Sequence, residues 1–271
     1  VPDLSLYFRA QHMPTIWCPG CGHGIVLGAV LRAIDRLKLE KDKVAVVSGI
    51  GCASRAPGYL DFNTLHTTHG RALAFATGLK MARPELKVIV VTGDGDLAAI
   101  GGNHFIHAAR RNIDITTVCF NNEIYGMTSG QYSPMTPTGG LATTAPYGNI
   151  ERNFDLCELA KAAGATFVAR GAAYYAQALS GLIAKAIAHK GFSLVEAVSQ
   201  CPTYYGRRNK IGTGPEMLEW QRTHAVPIAR AAGMKPEELA GKFVIGQFYE
   251  AEVPEYTEEY EKLIARLKGG N

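Results

Sequence analysis

Apolar and polar positions change period repeatedly along this chain. Five short runs, at residues 44–48, 87–92, 113–120, 166–169 and 193–198, are rich in β-branched and other apolar residues. Runs of this kind are strands buried on both faces, as in a parallel sheet. Between them the period turns helical, over residues 25–37, 72–82, 104–111, 156–163 and 174–189. Such alternation predicts an α/β fold: a doubly wound, mostly parallel sheet with right-handed crossovers. Ligands in these folds gather at the carboxyl ends of the strands. Four of the five ends carry unusual residues: Gly49-Ile50-Gly51-Cys52, Gly93-Asp94-Gly95-Asp96, Asn121-Asn122 and Gln200-Cys201-Pro202.

Two regions depart from the alternation. Residues 124–150 are rich in Gly, Thr and Pro and read as a long loop, a feature usually tied to function or mobility. After Pro215 one helix is expected to run through Ala232. Beyond Pro236 the chain reads as a charged tail with two aromatic patches, forming a C-terminal helical extension. The expected division is a domain over residues 1–235 and a tail over 236–271.

Composition narrows the function. The 271 residues, 47% of them hydrophobic, suffice for one large domain. The net charge of +4, from 28 basic and 24 acidic residues, is weak. Arg207, Arg208 and Lys210 are the tightest basic cluster, too small to argue for nucleic acid. No apolar run approaches the roughly 20 residues that span a bilayer, so no membrane partner is expected. The N-terminus lacks the pattern of a signal peptide. A cytoplasmic location follows as the expectation, and with it reduced thiols.

The strand ends suggest chemistry. Glycines in Gly93-Asp94-Gly95-Asp96 let the backbone approach a phosphate, and a following helix N-terminus favours the anion. The Asp94 carboxylate would repel bare phosphate, unless a divalent cation lies between them. Mg²⁺ takes six oxygen ligands and shares them between few protein groups and phosphate oxygens. Asn122, 28 residues after Asp94, lies one βαβ step on and reaches the same rim. The carbonyl of Ile124 is a third candidate ligand. Of six cysteines, Cys119 and Cys157 read as core. Cys18 and Cys21, in a turn before the first helix, can meet Cys52 and Cys201 from two strand ends. By count and spacing, four thiolates suit a zinc ion or a [4Fe–4S] cluster equally.

The motifs WCPGCG, GIGC, HGRA, GDGD and NNEIYGMTSGQ, in this order, resemble those of the β subunits of 2-oxoacid:ferredoxin oxidoreductases, and most of all the 2-oxoglutarate type. Within them, GDG followed by NN is similar to the thiamine diphosphate motif. The resemblance covers residues 17 to about 230. It implies a thiamine diphosphate-binding fold with the cofactor between two subunits, this chain gripping the diphosphate and Mg²⁺ through Asp94, Asn122 and Ile124. Ile50, Gly51, Cys52 and Ala53 would pack on the cofactor and His69 would hydrogen-bond it. Gly93, Gly95, Asp96, Gly126 and Met127 would line the diphosphate. The resemblance also implies a [4Fe–4S] cluster on Cys18, Cys21, Cys52 and Cys201, and places Arg55 near the substrate, where a guanidinium suits a second carboxylate.

The implied reaction is oxidative decarboxylation of a 2-oxoacid, with coenzyme A as acyl acceptor. The products are an acyl-CoA (succinyl-CoA from 2-oxoglutarate), CO₂ and reduced ferredoxin, and a sufficiently reducing acceptor would reverse it. The glutamate that activates the cofactor matches no motif here. In the family it comes from a larger α subunit, so this chain alone should be inactive and an (αβ)₂ assembly is expected. Rival readings are a pyruvate or broad 2-oxoacid enzyme, a non-redox thiamine decarboxylase and a zinc-stapled scaffold. The last leaves the diphosphate motif idle; the decarboxylase leaves the four cysteines idle unless they bind zinc.

Overall fold

The computed structural model describes residues 3–269. Its sheet contains eight strands: β1 (Val44–Ser48), β2 (Asn63–His66), β3 (Lys87–Gly93), β4 (Ile115–Asn121), β7 (Phe167–Ala172), β8 (Ser193–Val198), β9 (Ala225–Pro227) and β10 (Phe243–Glu250). Two more, β5 (Ile124–Tyr125) and β6 (Gln131–Tyr132), form a small separate hairpin. The sheet order is β2-β1-β3-β4-β8-β7-β10-β9. Neighbours pair in parallel, except that β10 runs antiparallel to β7. The doubly wound, mostly parallel architecture expected from the alternation is therefore present.

Side chains of successive strand residues point to opposite faces, and each face has its own core. Val44 and Val46 pack with helices α1 (His23–Arg36) and α6 (Ala176–Ala188), through Leu27, Ile34 and Ile183 among others. Ala45 and Val47 face the other core, built from α3 (Ala72–Ala82), α4 (Gly102–Arg111) and α5 (Leu156–Ala162). A short α2 (Ala56–Tyr59) follows the turn after β1. The order reverses between β1 and β3, since β2 lies on one side of β1 and β3 on the other. That is the topological switch point at which such sheets form ligand crevices.

The C-terminal region corrects two expectations. Residues 215–232 are not one helix: α7 (Gly214–His224) gives way to β9, then to a single turn, α8 (Ile228–Ala231). Pro227 has no N–H to continue a helix, and residues 225–227 pair with Phe243–Ile245 instead. After a short α9 (Pro236–Leu239), β10 enters the main sheet beside β7 and leads to α10 (Tyr256–Gly269). The sheet thus continues past residue 235, and the segment read as a tail supplies the strand between β7 and the edge strand β9. Asn112 anchors it, donating through Nδ2 to the carbonyls of Val253 (3.2 Å) and Pro254 (3.1 Å). The edge strand β2 was not foreseen; its sequence NTLH is polar and mostly exposed.

The long loop between β5 and α5 is held by its own polar groups. Asn149 donates to the Thr136 carbonyl at 2.8 Å, and the Thr136 hydroxyl accepts from the Ser133 N–H at 2.9 Å. Ser133, Thr136 and Asn149 are all buried. No helix of the described residues is long and apolar enough to cross a membrane.

Candidate functional site

Strand β3 delivers Asp94 to the sheet's carboxyl edge, where it is 2% exposed. One oxygen, Oδ2, accepts a short hydrogen bond from the Ser133 hydroxyl. The other faces β4, whose end brings Asn122 alongside. The Asn122 side-chain oxygen stands 2.8 Å from the Ile124 carbonyl oxygen and 3.1 Å from Asp94 Oδ1. Three acceptors facing one another repel unless a cation joins them or the amide turns over to donate. Cis ligands of an octahedral Mg²⁺, each at 2.0–2.1 Å, lie about 2.9 Å apart. The Asn122 amide therefore stands from the Ile124 carbonyl and from Asp94 Oδ1 at about the spacing such an ion needs between its ligands.

Around this point lies a cleft. Ile50, Gly51, Cys52, Ala53, His69, Gly93, Asp94, Gly95, Asp96, Asn122, Ile124, Gly126 and Met127 all line it, together with His23, Phe120, Tyr125 and Thr128. Its floor is backbone at close quarters. A Cβ on Gly95 would strike the Tyr125 ring, whose hydroxyl donates to the Gly95 carbonyl at 3.0 Å.

Asp96 plays a part the sequence did not suggest. Its buried carboxylate accepts from the Gly70 N–H (2.7 Å), the Ile50 N–H (3.1 Å) and the Thr92 hydroxyl (2.8 Å). It also meets His69 Nδ1 at 2.6 Å. The carboxylate thus ties the turn after β1 to the turn before α3, and commits one His69 nitrogen to the protein. Nε2 is the nitrogen left for a ligand. A Cβ on Gly49 would collide with the same carboxylate, which explains the glycine. Arg55 is not in the cleft wall. It is exposed at the end of the turn Ala53–Arg55; its N–H donates to the Cys52 carbonyl at 3.2 Å, and its guanidinium has no hydrogen bond or ion pair among the described residues.

The four cysteines line a second cavity with Ile16, Trp17, Thr203 and Tyr204. Cys52, Asn122, Gly126 and Met127 line both, so the two cavities share a wall. The clamp turn closes with Cys21 N–H donating to the Cys18 carbonyl at 3.0 Å. Gly20 allows it, being left-handed at φ 80° and packed on Gly214 and Pro202. Trp17 was missed by the sequence reading; its Nε1 donates to the Cys52 carbonyl at 2.7 Å and fixes the third cysteine to the clamp. All six cysteines are free thiols, and Cys119 and Cys157 are buried in the core. Among the described residues no three His, Cys, Asp or Glu side chains surround a single metal-ion position.

A model of the thiamine pyrophosphate enzyme C-terminal TPP-binding domain matches residues 44–197. The chain is 55% identical over 262 residues to 2-oxoglutarate synthase subunit KorB of Methanocaldococcus jannaschii, covering 97% of each. It is 39% identical over 269 aligned residues to the 2-oxoacid:ferredoxin oxidoreductase subunit beta of Saccharolobus solfataricus, covering 92% of this chain and 85% of that one. The chain belongs to the 2-oxoacid:ferredoxin oxidoreductase β subunits. Its fold agrees with the solved 2-oxoglutarate:ferredoxin oxidoreductase from Magnetococcus marinus with 2-oxoglutarate, coenzyme A and succinyl-CoA bound. The TM-score is 0.89 at 38% identity, over 99% of this chain and 91% of that chain.

Burial sets the proton chemistry of this β subunit. It pushes Cys21 up to about 12 and Cys52 up to about 11, with the neighbouring thiols adding to both. Without a metal, the Cys21 and Cys52 thiols therefore keep their protons at neutral pH. Burial likewise pushes the Asp94 carboxyl up to about 7, against hydrogen bonds from Ser133 and nearby main-chain N–H groups. The signs follow. Without metal, the folded state holds this proton more tightly than the unfolded one. Its contribution to stability is then full below 3.8, the usual value, and lost as pH rises to about 7. A cation must displace the proton, so below pH 7 the two compete. Mg²⁺ affinity in the presence of thiamine diphosphate is expected to fall about tenfold per pH unit below 7 and to level off above 8. Calorimetric titration at pH 6, 7 and 8 checks this; a flat profile would remove Asp94 from the ligand set.

Proposed function

We propose that this chain, with a partner α subunit, oxidises 2-oxoglutarate with coenzyme A to succinyl-CoA and CO₂, passing two electrons singly to ferredoxin. The observation that carries the reading is the convergence of Asp94, Asn122 and Ile124 oxygens in a cleft one wall away from four cysteines. Thiamine diphosphate, when bound, supplies a nucleophilic carbon and an electron sink. Asp94, Asn122 and the Ile124 carbonyl would hold the Mg²⁺ that bridges to its diphosphate. The backbone at Gly93, Gly95, Asp96, Gly126 and Met127 would line that diphosphate, with His69 Nε2 turned to it. Ile50 to Ala53 would pack against the rest.

Two features support a partner subunit. The cleft mouth is apolar: Ile50 is 37% exposed, Met127 41% and nearby Ile100 49%, and such surface on a soluble protein marks an interaction site. Also, no glutamate of the described residues lines the cleft, so the carboxylate that activates the cofactor must come from elsewhere. An (αβ)₂ assembly in the cytoplasm suits both.

Cys18, Cys21, Cys52 and Cys201 would hold a [4Fe–4S] cluster. Thiolates around one zinc converge on a point at about 2.3 Å, whereas here they stand around a cavity. A four-iron cluster takes one thiolate per iron and fills such a space. Cys18 is exposed, and Arg207, Arg208 and Lys210, also exposed, closely follow Cys201. This edge suits the docking of an acidic electron carrier.

The complex purified without oxygen is expected to contain about four irons and four sulfides per β chain; zinc alone would refute the cluster and favour the non-redox reading. Arg55, lacking a protein partner, is proposed to hold the distal carboxylate of 2-oxoglutarate. Arg55→Ala should then raise KM for 2-oxoglutarate about tenfold or more while changing that for pyruvate little. Equal effects on both substrates would exclude it from specificity.

A further inference from the structure

One buried ion pair lies outside both cavities. Glu196, in the middle of β8, is 2% exposed, where a parallel sheet normally carries an apolar residue. A carboxylate there is costly unless paired and fully hydrogen-bonded. Arg170, directly across on β7, supplies the pair, with Nε 2.7 Å from Glu196 Oε2. Arg170 in turn reaches Asp155 through Nη2 at 2.8 Å. The Cys157 thiol approaches the same Glu196 oxygen at 3.5 Å. None of these residues touches the cofactor cleft.

The remaining oxygen shows what the pair is for. Glu196 Oε1 accepts from Asn121 Nδ2 at 2.7 Å, and Asn121 Oδ1 accepts from the Glu123 N–H at 3.1 Å. The carboxylate can only accept and the N–H can only donate, so the amide has one orientation. Asn121 thereby closes a tight turn around Asn122 and holds Glu123 in the left-handed region, at φ 62°. Asn122, whose amide lies 3.1 Å from Asp94 Oδ1, and Ile124, whose carbonyl lies 2.8 Å from that amide, are the residues this turn presents. A strained backbone of this kind persists only when its surroundings over-determine it.

We propose that Glu196, backed by Arg170 and acting through Asn121, is a positioning residue for the metal-binding turn. It keeps the Asn122 amide beside Asp94 Oδ1 and the Ile124 carbonyl before any cation arrives. Charge is needed because three donors converge on the group. A glutamine there would turn its NH₂ toward at least one of them. The inference rests on the cofactor reading above and adds a residue that reading leaves without a role.

The test is metal affinity, read apart from turnover. The complex with its partner subunit, freed of metal and cofactor, is titrated with Mn²⁺ in the presence of thiamine diphosphate. Free Mn²⁺ is followed by electron paramagnetic resonance. Glu196→Gln is expected to weaken Mn²⁺ binding about 10–100-fold, the usual cost of losing an outer-shell partner. Asn121→Ser breaks the same link without touching the ion pair, and should do likewise even if Glu196→Gln fails to fold. The double variant should lose no more than the worse single one, because both cut one chain. A lowered melting temperature with Mn²⁺ affinity within threefold of wild type would make the pair merely structural and overturn the proposal. So would losses that multiply in the double variant. If the wild-type complex shows no thiamine diphosphate-dependent Mn²⁺ binding, the cofactor reading itself fails and this inference with it.

Discussion

Three buried polar groups are held against one another at the carboxyl edge of this sheet. Asp94, Asn122 and Ile124 present them from the ends of adjacent strands, at separations of 2.8 and 3.1 Å. Much of the surrounding structure keeps them there. The pairing of β3 with β4 brings the two strand ends together. Ser133, carried back by the long loop, holds the far side of Asp94. The tight turn at Asn121 sets the direction of Asn122. A site held in advance of its ligand does not reorganise on binding, which is how backbone strain and buried carboxylates become useful.

The second feature is proximity. Cys52, Asn122, Gly126 and Met127 separate the cofactor cleft from the cysteine cavity. At Gly126 the wall is a bare backbone: a Cβ there would lie 3.4 Å from Cys52 Sγ and 3.8 Å from Cys201 Sγ. On the proposed reading, the cofactor and the cluster would be separated by a single thickness of chain. Cys52 lines both cavities; Trp17 donates to its carbonyl, and Asp96 accepts from the N–H of Ile50 in the same turn. On that reading the turn after β1 would touch both the cofactor and the cluster.

The parts of this arrangement legible in the sequence were those with strong local signals. The runs in β1 (VAVV) and β3 (VIVV) are unbroken and apolar, β8 is interrupted only by Glu196 between its ends, and the spacing from Asp94 to Asn122 is one crossover. β2 gave no such signal, because an exposed edge strand need not be apolar. β10 was hidden by Gly246, left-handed at φ 134° to clear Ile228, which breaks the strand pattern. The helix drawn through residue 232 failed because α7 ends where Ala225–Pro227 finds a strand partner far along the chain. At the site, ligand residues were readable because they sit in motifs. The groups that orient them are not: Asp96 reads only as lining the diphosphate, and Ser133, Trp17 and Glu196 act across sequence separations of 35 to 75 residues. Only the fold brings them near.

The central claim is that the cleft and the cysteine cavity work as one oxidoreductase. The direct measurement is reduction of a low-potential one-electron acceptor by the chain co-expressed with its partner subunit, without oxygen. Thiamine diphosphate, Mg²⁺ and coenzyme A are supplied, with 2-oxoglutarate or pyruvate in parallel. The account predicts acceptor reduction that requires coenzyme A and is faster with 2-oxoglutarate. Release of CO₂ without acceptor reduction would contradict it, leaving a non-redox decarboxylase whose four cysteines bind something other than an electron carrier.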